Sequence, residues 1–165
     1  MKRKKITIFG STGSVGKSTL EVLETHSDDF ELIGLTINTN YSDLIKQVQK
    51  YKPRVVAIKD EDAYKKFKER NTDRELVILS GKQSLIEILE FDVDFIMAGI
   101  VGSAGLLPVI EAAEKGIDIG LANKESLVCS GNILKSIIKK NNSVILPIDS
   151  EHNAIFQVFE NSNKE

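Results

Sequence analysis

Short apolar runs rich in Ile, Val and Phe alternate along this chain with longer stretches of helical period, and the alternation never breaks. The expected strands are Lys5–Phe9, Phe30–Ile37, Val55–Ile58, Glu75–Leu79, Val93–Met97, Ile117–Leu121 and Val144–Leu146. Between them the period predicts helices over Val15–Glu24, Tyr41–Tyr51, Glu61–Arg70, Lys82–Glu90, Gly105–Lys115 and Glu125–Lys140. Connections of a few residues between such elements build right-handed βαβ units, whose helices cover both faces of one sheet. The expectation is an α/β fold with a doubly wound parallel sheet. No linker, internal repeat or low-complexity segment intervenes before the polar end "ENSNKE".

At 165 residues, 41% hydrophobic and 28% charged, the chain suits one soluble domain with a real core. A formal net charge of -2 offers no general attraction to nucleic acid or to an anionic membrane, and the basic cluster "KRKK" at Lys2–Lys5 is short enough to be solvated. Only "ITIF" follows it before glycines arrive, so there is neither the apolar core of a signal peptide nor a run able to span a bilayer. A cytoplasmic protein is expected. The single Cys129 has no partner for a disulfide or zinc site and is expected to be a small packing residue. His26 and His152 have no second histidine nearby and are expected to be structural or solvent-facing.

The first strand runs directly into "GSTGSVGKST", with Gly10, Gly13 and Gly16 three apart. A triphosphate-binding loop needs four residues between its first glycine and the Gly-Lys pair, and here Gly10 leaves five before Gly16. The strand–turn–helix setting instead matches a dinucleotide fingerprint, in which Gly10 turns the chain, Gly13 admits a pyrophosphate and Gly16 lets helix and strand pack closely. A tight turn without ligand is the alternative. The second strand ends "LTINTN", so Asn38, Thr39 and Asn40 put no negative charge beside a ribose 2′-phosphate, but no Arg or Lys either. NADP is favoured over NAD.

Three later segments carry chemistry. "IMAGIVGSAGLLP" follows the fifth strand, and a doubly wound sheet would bring Ala98–Gly102 beside the cofactor, unless the glycines serve packing alone. "GLANKESLV" sets Asn123, Lys124 and Glu125 at the end of a strand, where a lysine can face an anion or polarised carbonyl and Asn123 can cap a helix. In "VILPIDSEHNAIFQ", Asp149 and Glu151 are two apart, so an extended backbone would point both carboxylates the same way, with the Ser150 hydroxyl between them. Such oxygens suit Mg²⁺ or Mn²⁺. The alternative is that Asp149, Ser150 and Glu151 cap the helix that follows.

Taken together, "GSTGSVG", "AGIVGSAGLLP", "LANKESLV" and "LPIDSEHNAIFQ" resemble, in order and nearly in spelling, the 1-deoxy-D-xylulose 5-phosphate reductoisomerase family. The resemblance implies a Rossmann-like NADPH-binding domain over residues 1–147 and the start of a catalytic, metal-binding domain over 148–165. It also implies NADPH- and divalent-metal-dependent rearrangement and reduction of 1-deoxy-D-xylulose 5-phosphate to 2-C-methyl-D-erythritol 4-phosphate, in a homodimeric enzyme. By motif, Thr12, Gly13, Ser14 and Val15 would touch the cofactor, as would Asn38, Thr39 and Asn40, with Asn40 near the 2′-phosphate. Asn123 and Glu125 would lie on the nicotinamide side, Lys124 and Ser150 would contact the sugar phosphate, and Asp149 and Glu151 would ligate Mg²⁺ or Mn²⁺, Glu151 also meeting substrate.

Two departures accompany the resemblance. The family commonly has Gly-Lys-Asn where this chain has Asn38, Thr39 and Asn40, and its members run to about twice this length or more. The 165-residue chain alone is therefore expected to lack activity. Rival readings are another dehydrogenase of similar fold, which would need a catalytic Cys with a His partner, a non-catalytic NADP-binding module, and a P-loop phosphotransferase.

Overall fold

The computed structural model describes residues 2–122 and 124–158. It forms one seven-stranded sheet in the order β4-β3-β2-β1-β5-β6-β7. The strands are β1 Lys4–Phe9, β2 Phe30–Ile37, β3 Val55–Ile58, β4 Val77–Ser80, β5 Phe95–Ala98, β6 Asp118–Leu121 and β7 Ile145–Pro147. Every pairing is parallel. The intervening helices are α1 Ser14–Thr25, α2 Tyr41–Tyr51, α3 Glu61–Arg70, α4 Ser84–Glu87, α5 Leu106–Glu114 and α6 Lys124–Asn141, with α7 Ser150–Val158 after β7. Short 3-10 turns follow α4 at Ile88–Glu90 and precede α5 at Gly102–Gly105. The sheet is doubly wound as expected.

Near-continuous apolar strands are what a sheet buried on both faces requires. Ile6, Ile8, Val56 and Ile58 pack with Leu20, Leu23, Leu44, Val48 and Phe67 of α1, α2 and α3. Phe9, Val55, Ala57, Ile96 and Ile119 pack on the other face with Val109, Ala112, Ala113 and Leu134 of α5 and α6. Neighbours such as Ile8 and Phe9 thus serve opposite layers, as the two-residue pleat demands.

The pleat of β2 changes phase once. Ile6 pairs with Leu32 but Thr7 pairs with Gly34, leaving Ile33 as an extra residue. Phe30 and Leu32 before it, and Leu35 and Ile37 after it, all pack on the α1–α3 layer, while Ile33 packs on the other. A bulge accommodates the extra residue at the cost of local ladder geometry.

Several boundaries differ from the sequence expectation for local reasons. β4 starts at Val77 rather than Glu75, because Asn71 and Asp73 hold a turn in which Glu75 N–H donates to Asp73 Oδ1 at 2.9 Å. The helix expected over Lys82–Glu90 is only one α-turn followed by a 3-10 turn; the Ser84 hydroxyl donates to Gly81 O at 2.7 Å and starts it late. Cys129 is exposed instead of packed, since α6 buries the stripe through Ser130 and Leu134. Among the described residues no helix is long and apolar enough to cross a membrane.

Thr7 is fully buried beside the bulge, and its Oγ1 has no hydrogen-bond partner among the described residues. A buried hydroxyl left unpaired costs roughly 1–3 kcal/mol, whereas an isosteric methyl there costs nothing in hydrogen bonding. Thr7→Val should therefore stabilise the chain by about 1 kcal/mol in urea unfolding. A loss of stability would show that the hydroxyl is satisfied.

Candidate functional site

The chain leaves β1 toward β2 on one side and returns to β5 on the other, so the sheet changes winding direction between these two strands. Crevices for ligands form at such switch points, outside the carboxyl ends of the strands. Here the crevice is a cavity of about 550 Å³. Its walls are Gly10 and Thr12–Val15 from the glycine turn, Thr36–Asn38 from the end of β2, Lys59 after β3, Leu85, Gly99–Val101 after β5, Ala104 and Ala122.

Backbone geometry builds the turn. Gly10 has φ 79°, a left-handed conformation that costs a side-chain-bearing residue strain, and a Cβ there would sit 3.1 Å from Gly99 O. Its N–H donates to Thr36 O at 3.1 Å and Thr36 Oγ1 at 3.0 Å, Ser11 N–H donates to Thr36 O at 2.9 Å, and Gly13 N–H closes back on Gly10 O at 3.1 Å. Ser11 is fully buried and locked to Gln47 of α2: its hydroxyl donates to Gln47 Oε1 at 2.7 Å, and Gln47 Nε2 donates to Ser11 O at 2.8 Å. The turn is thereby fixed from two sides.

Helix α1 begins at Ser14 with Gly13 as its N-cap, with no side-chain cap and no acidic residue in its first turn. Its first amides and the positive end of its dipole therefore face the cavity without an internal acceptor, an arrangement that favours an anion. Lys17, the lysine of the "GKST" run, is turned away: its ammonium donates to Asp43 Oδ2 at 3.0 Å, outside the cavity wall. That hydrogen bond, with its charge, holds the Asp43 carboxyl below the usual range. The stabilisation it gives is present above the ordinary carboxylate pKa and is lost as pH falls through the lowered one. A phosphate-binding lysine would point the other way, which removes the P-loop reading.

The expected cofactor residues separate into two groups. Thr12, Gly13, Ser14, Val15 and Asn38 line the cavity; Thr39 and Asn40 do not. Asn40 instead caps α2, accepting from Asp43 N–H at 3.2 Å and donating to Asp43 Oδ2 at 3.1 Å. Gly99–Val101 are where the second glycine segment was expected to lie. Lys59 and Leu85 were not foreseen, although Lys59 directly follows the apolar run "VVAI", the same signal that singled out Lys124. Asn123 and the side chains of Lys124 and Glu125 lie outside the described residues.

At the adjacent end of the sheet, Ile148 N–H donates to Leu121 O at 2.9 Å, so the chain leaves β7 beside the end of β6. The expected extended "DSE" segment is corrected here: Ser150 and Glu151 are the first residues of α7, so the two-residue alternation does not apply to Asp149 and Glu151. Asp149 caps that helix, its Oδ1 accepting from His152 N–H at 3.0 Å and lying 2.7 Å from His152 Nδ1. The backbone N–H of His152 is the first cause that holds the Asp149 carboxyl below its ordinary pKa, with the His152 ring adding to it. Among the described residues, no three His, Cys, Asp or Glu side chains gather as a metal cluster. Asp149 and Glu151 offer carboxylates for part of one.

A glycine turn, an acid-free helix N-terminus and a cleft at the switch point define a doubly wound α/β domain whose crevice has the form that suits a dinucleotide. The sequence model of 1-deoxy-D-xylulose 5-phosphate reductoisomerase matches residues 6–131, and the chain belongs to that family. It is 44% identical over 161 residues to the 1-deoxy-D-xylulose 5-phosphate reductoisomerase of Caldanaerobacter subterraneus, covering 98% of this chain and 42% of that protein. It superposes with a TM-score of 0.92 and 36% identity on the reductoisomerase from Zymomonas mobilis in complex with NADPH, covering 98% of this chain and 43% of the other. A further reductoisomerase structure, in complex with NADPH, fosmidomycin and magnesium, gives a TM-score of 0.90 at 38% identity over 96% of this chain and 40% of the other. The chain thus spans less than half the length of these relatives.

The glycines of the turn differ in what they allow. A Cβ on Gly16 would lie 2.5 Å from Gly10 O and 2.6 Å from Ser11 Cα, whereas one on Gly13 would meet only Gly10 O at 3.3 Å. Gly16→Ala should then destabilise the fold by roughly 1–3 kcal/mol, the usual range for overpacking, while Gly13→Ala, where one backbone oxygen has to give by a few tenths of an ångström, should lower the urea midpoint much less. Equal midpoints for the two variants would contradict this division of roles.

Proposed function

We propose that this chain binds NADPH, with the cofactor's pyrophosphate against the N-terminus of α1 and its adenosine ribose toward the end of β2. The observation that carries the reading is the unacidic, uncapped start of α1, which opens at Gly13 into the cavity at the switch point. Thr12, Ser14 and Val15 would contact the cofactor from the turn, and Asn38 would do so from β2. The family relation supports it, since the Zymomonas mobilis relative is a complex with NADPH. Under this reading, residues 1–147 are the cofactor-binding domain and 148–165 begin the catalytic domain.

The activity proposed for the enzyme at the relatives' length is the NADPH-dependent rearrangement and reduction of 1-deoxy-D-xylulose 5-phosphate to 2-C-methyl-D-erythritol 4-phosphate. It would act in the cytoplasm as a homodimer. Asp149 and Glu151 would donate oxygens to Mg²⁺ or Mn²⁺, which supplies a Lewis acid for the sugar's oxygens. The His152 N–H that donates to Asp149 Oδ1 favours the ionised carboxyl, the form a metal ligand needs. Lys124 and Ser150 would contact the sugar phosphate, with Asn123 and Glu125 toward the nicotinamide.

Two measurements test this. Gly13→Val should abolish NADPH binding in calorimetry while circular dichroism stays native, because the branched side chain fills the space that the phosphates need; unchanged affinity in the folded variant would falsify the site. In an enzyme of the relatives' length, Asp149→Asn and Glu151→Gln should each remove nearly all turnover and leave NADPH affinity close to the parent's. Substantial turnover in either variant would return these residues to helix capping alone.

A further inference from the structure

In a dinucleotide fold the adenosine ribose meets the residues that leave the second strand, and a nearby cation accommodates the 2′-phosphate when the cofactor carries one. Here Asn38, Thr39 and Asn40 are uncharged, and the Asn40 side chain is occupied in capping α2. The cation comes from the next strand over. Ile58 pairs with Ile37, Lys59 N–H donates to Ile37 O at 3.1 Å, and Asp60 N–H donates to Asn38 O at 3.3 Å. The chain leaving β3 therefore runs alongside the chain leaving β2, and Lys59 lines the same cavity as Asn38.

Lys59 is half-buried and, among the described residues, the only charged side chain on the cavity wall. Several other charged side chains of this region have contacts of their own. Asp60 accepts from Ala63 N–H at 2.8 Å as the cap of α3, Lys17 and Lys46 both reach Asp43, and Lys66 and Arg70 lie over the Tyr41 ring. No ion pair holds the Lys59 ammonium among the described residues, so its partner has to come from the ligand or solvent.

We infer that Lys59 binds the adenosine 2′-phosphate and sets the preference of this protein for NADPH over NADH. The inference rests on the proposed NADPH site and adds the residue that discriminates between the two cofactors. The ammonium of a half-buried lysine is a strong point partner for a phosphate dianion and gains far less from the 2′-hydroxyl of NADH.

The test measures NADPH and NADH affinities of the parent chain, Lys59→Gln and Lys59→Arg by fluorescence titration at two salt concentrations. Lys59→Gln should weaken NADPH roughly tenfold or more, leave NADH within about twofold, and flatten the salt dependence of NADPH binding; Lys59→Arg should keep most of the preference. An affinity ratio unchanged by Lys59→Gln, or an equal loss for both cofactors, overturns the role of Lys59 while the NADPH site stands. If the parent chain binds both cofactors equally, the preference itself is absent and the inference falls. Failure of the parent to bind either cofactor would instead overturn the proposed site, and this inference with it.

Discussion

Everything at the cleft depends on how closely α1 can begin against the end of β1. Gly16 lies where even one carbon would reach 2.5 Å from the Gly10 carbonyl oxygen, so the helix's first turn rests directly on the backbone of the turn that precedes it. That contact aims the helix axis, and with it the unpaired amides, at the space between β1 and β5. The remaining supports keep the backbone in place once it is there: Thr36 holds Gly10 and Ser11 from below, and Gln47 grips Ser11 from the side. None of these residues has to touch a ligand to decide where one sits.

Helix α2 takes part in this more than its distance from the cleft suggests. It contributes Gln47 to the glycine turn and Asp43 to Lys17, while its own start is capped by Asn40. A shift of α2 would therefore move the glycine-turn end and the β2 end of the cavity together. Asn40 is thus structurally employed, which fits the proposal that the cation on this side of the cavity is supplied by the residue after β3.

Periodicity alone was enough to read the βαβ order, the parallel sheet and the glycine turn, because burial on both faces leaves long apolar runs and a turn with φ 79° demands glycine. Boundaries were less legible. Val77 and Ser84 start their elements late because of side-chain turns at Asp73 and Ser84 that no apolar pattern reveals. Asp149 was recognisable as chemically loaded, but its geometry depended on whether the backbone after β7 stayed extended or entered α7. Lys59 was missed for another reason: which strand ends lie side by side is a property of the sheet order, not of neighbouring residues in sequence.

The bulge in β2 gives the strand a kind of internal vernier. Up to Leu32 it is counted in one phase and from Gly34 in the other, and it is the second phase that brings Thr36 opposite Phe9, with its carbonyl and hydroxyl beneath Gly10. Running the first phase on without the bulge, with Ile33 paired to Thr7, would bring Leu35 opposite Phe9, a residue without a hydroxyl to offer. In this strand the bulge carries information that residue identities do not: many substitutions at Ile33 would preserve it, and even the loss of Ile33 would keep Thr36 opposite Phe9, whereas straightening the strand with Ile33 in place would re-index both the core and the cleft.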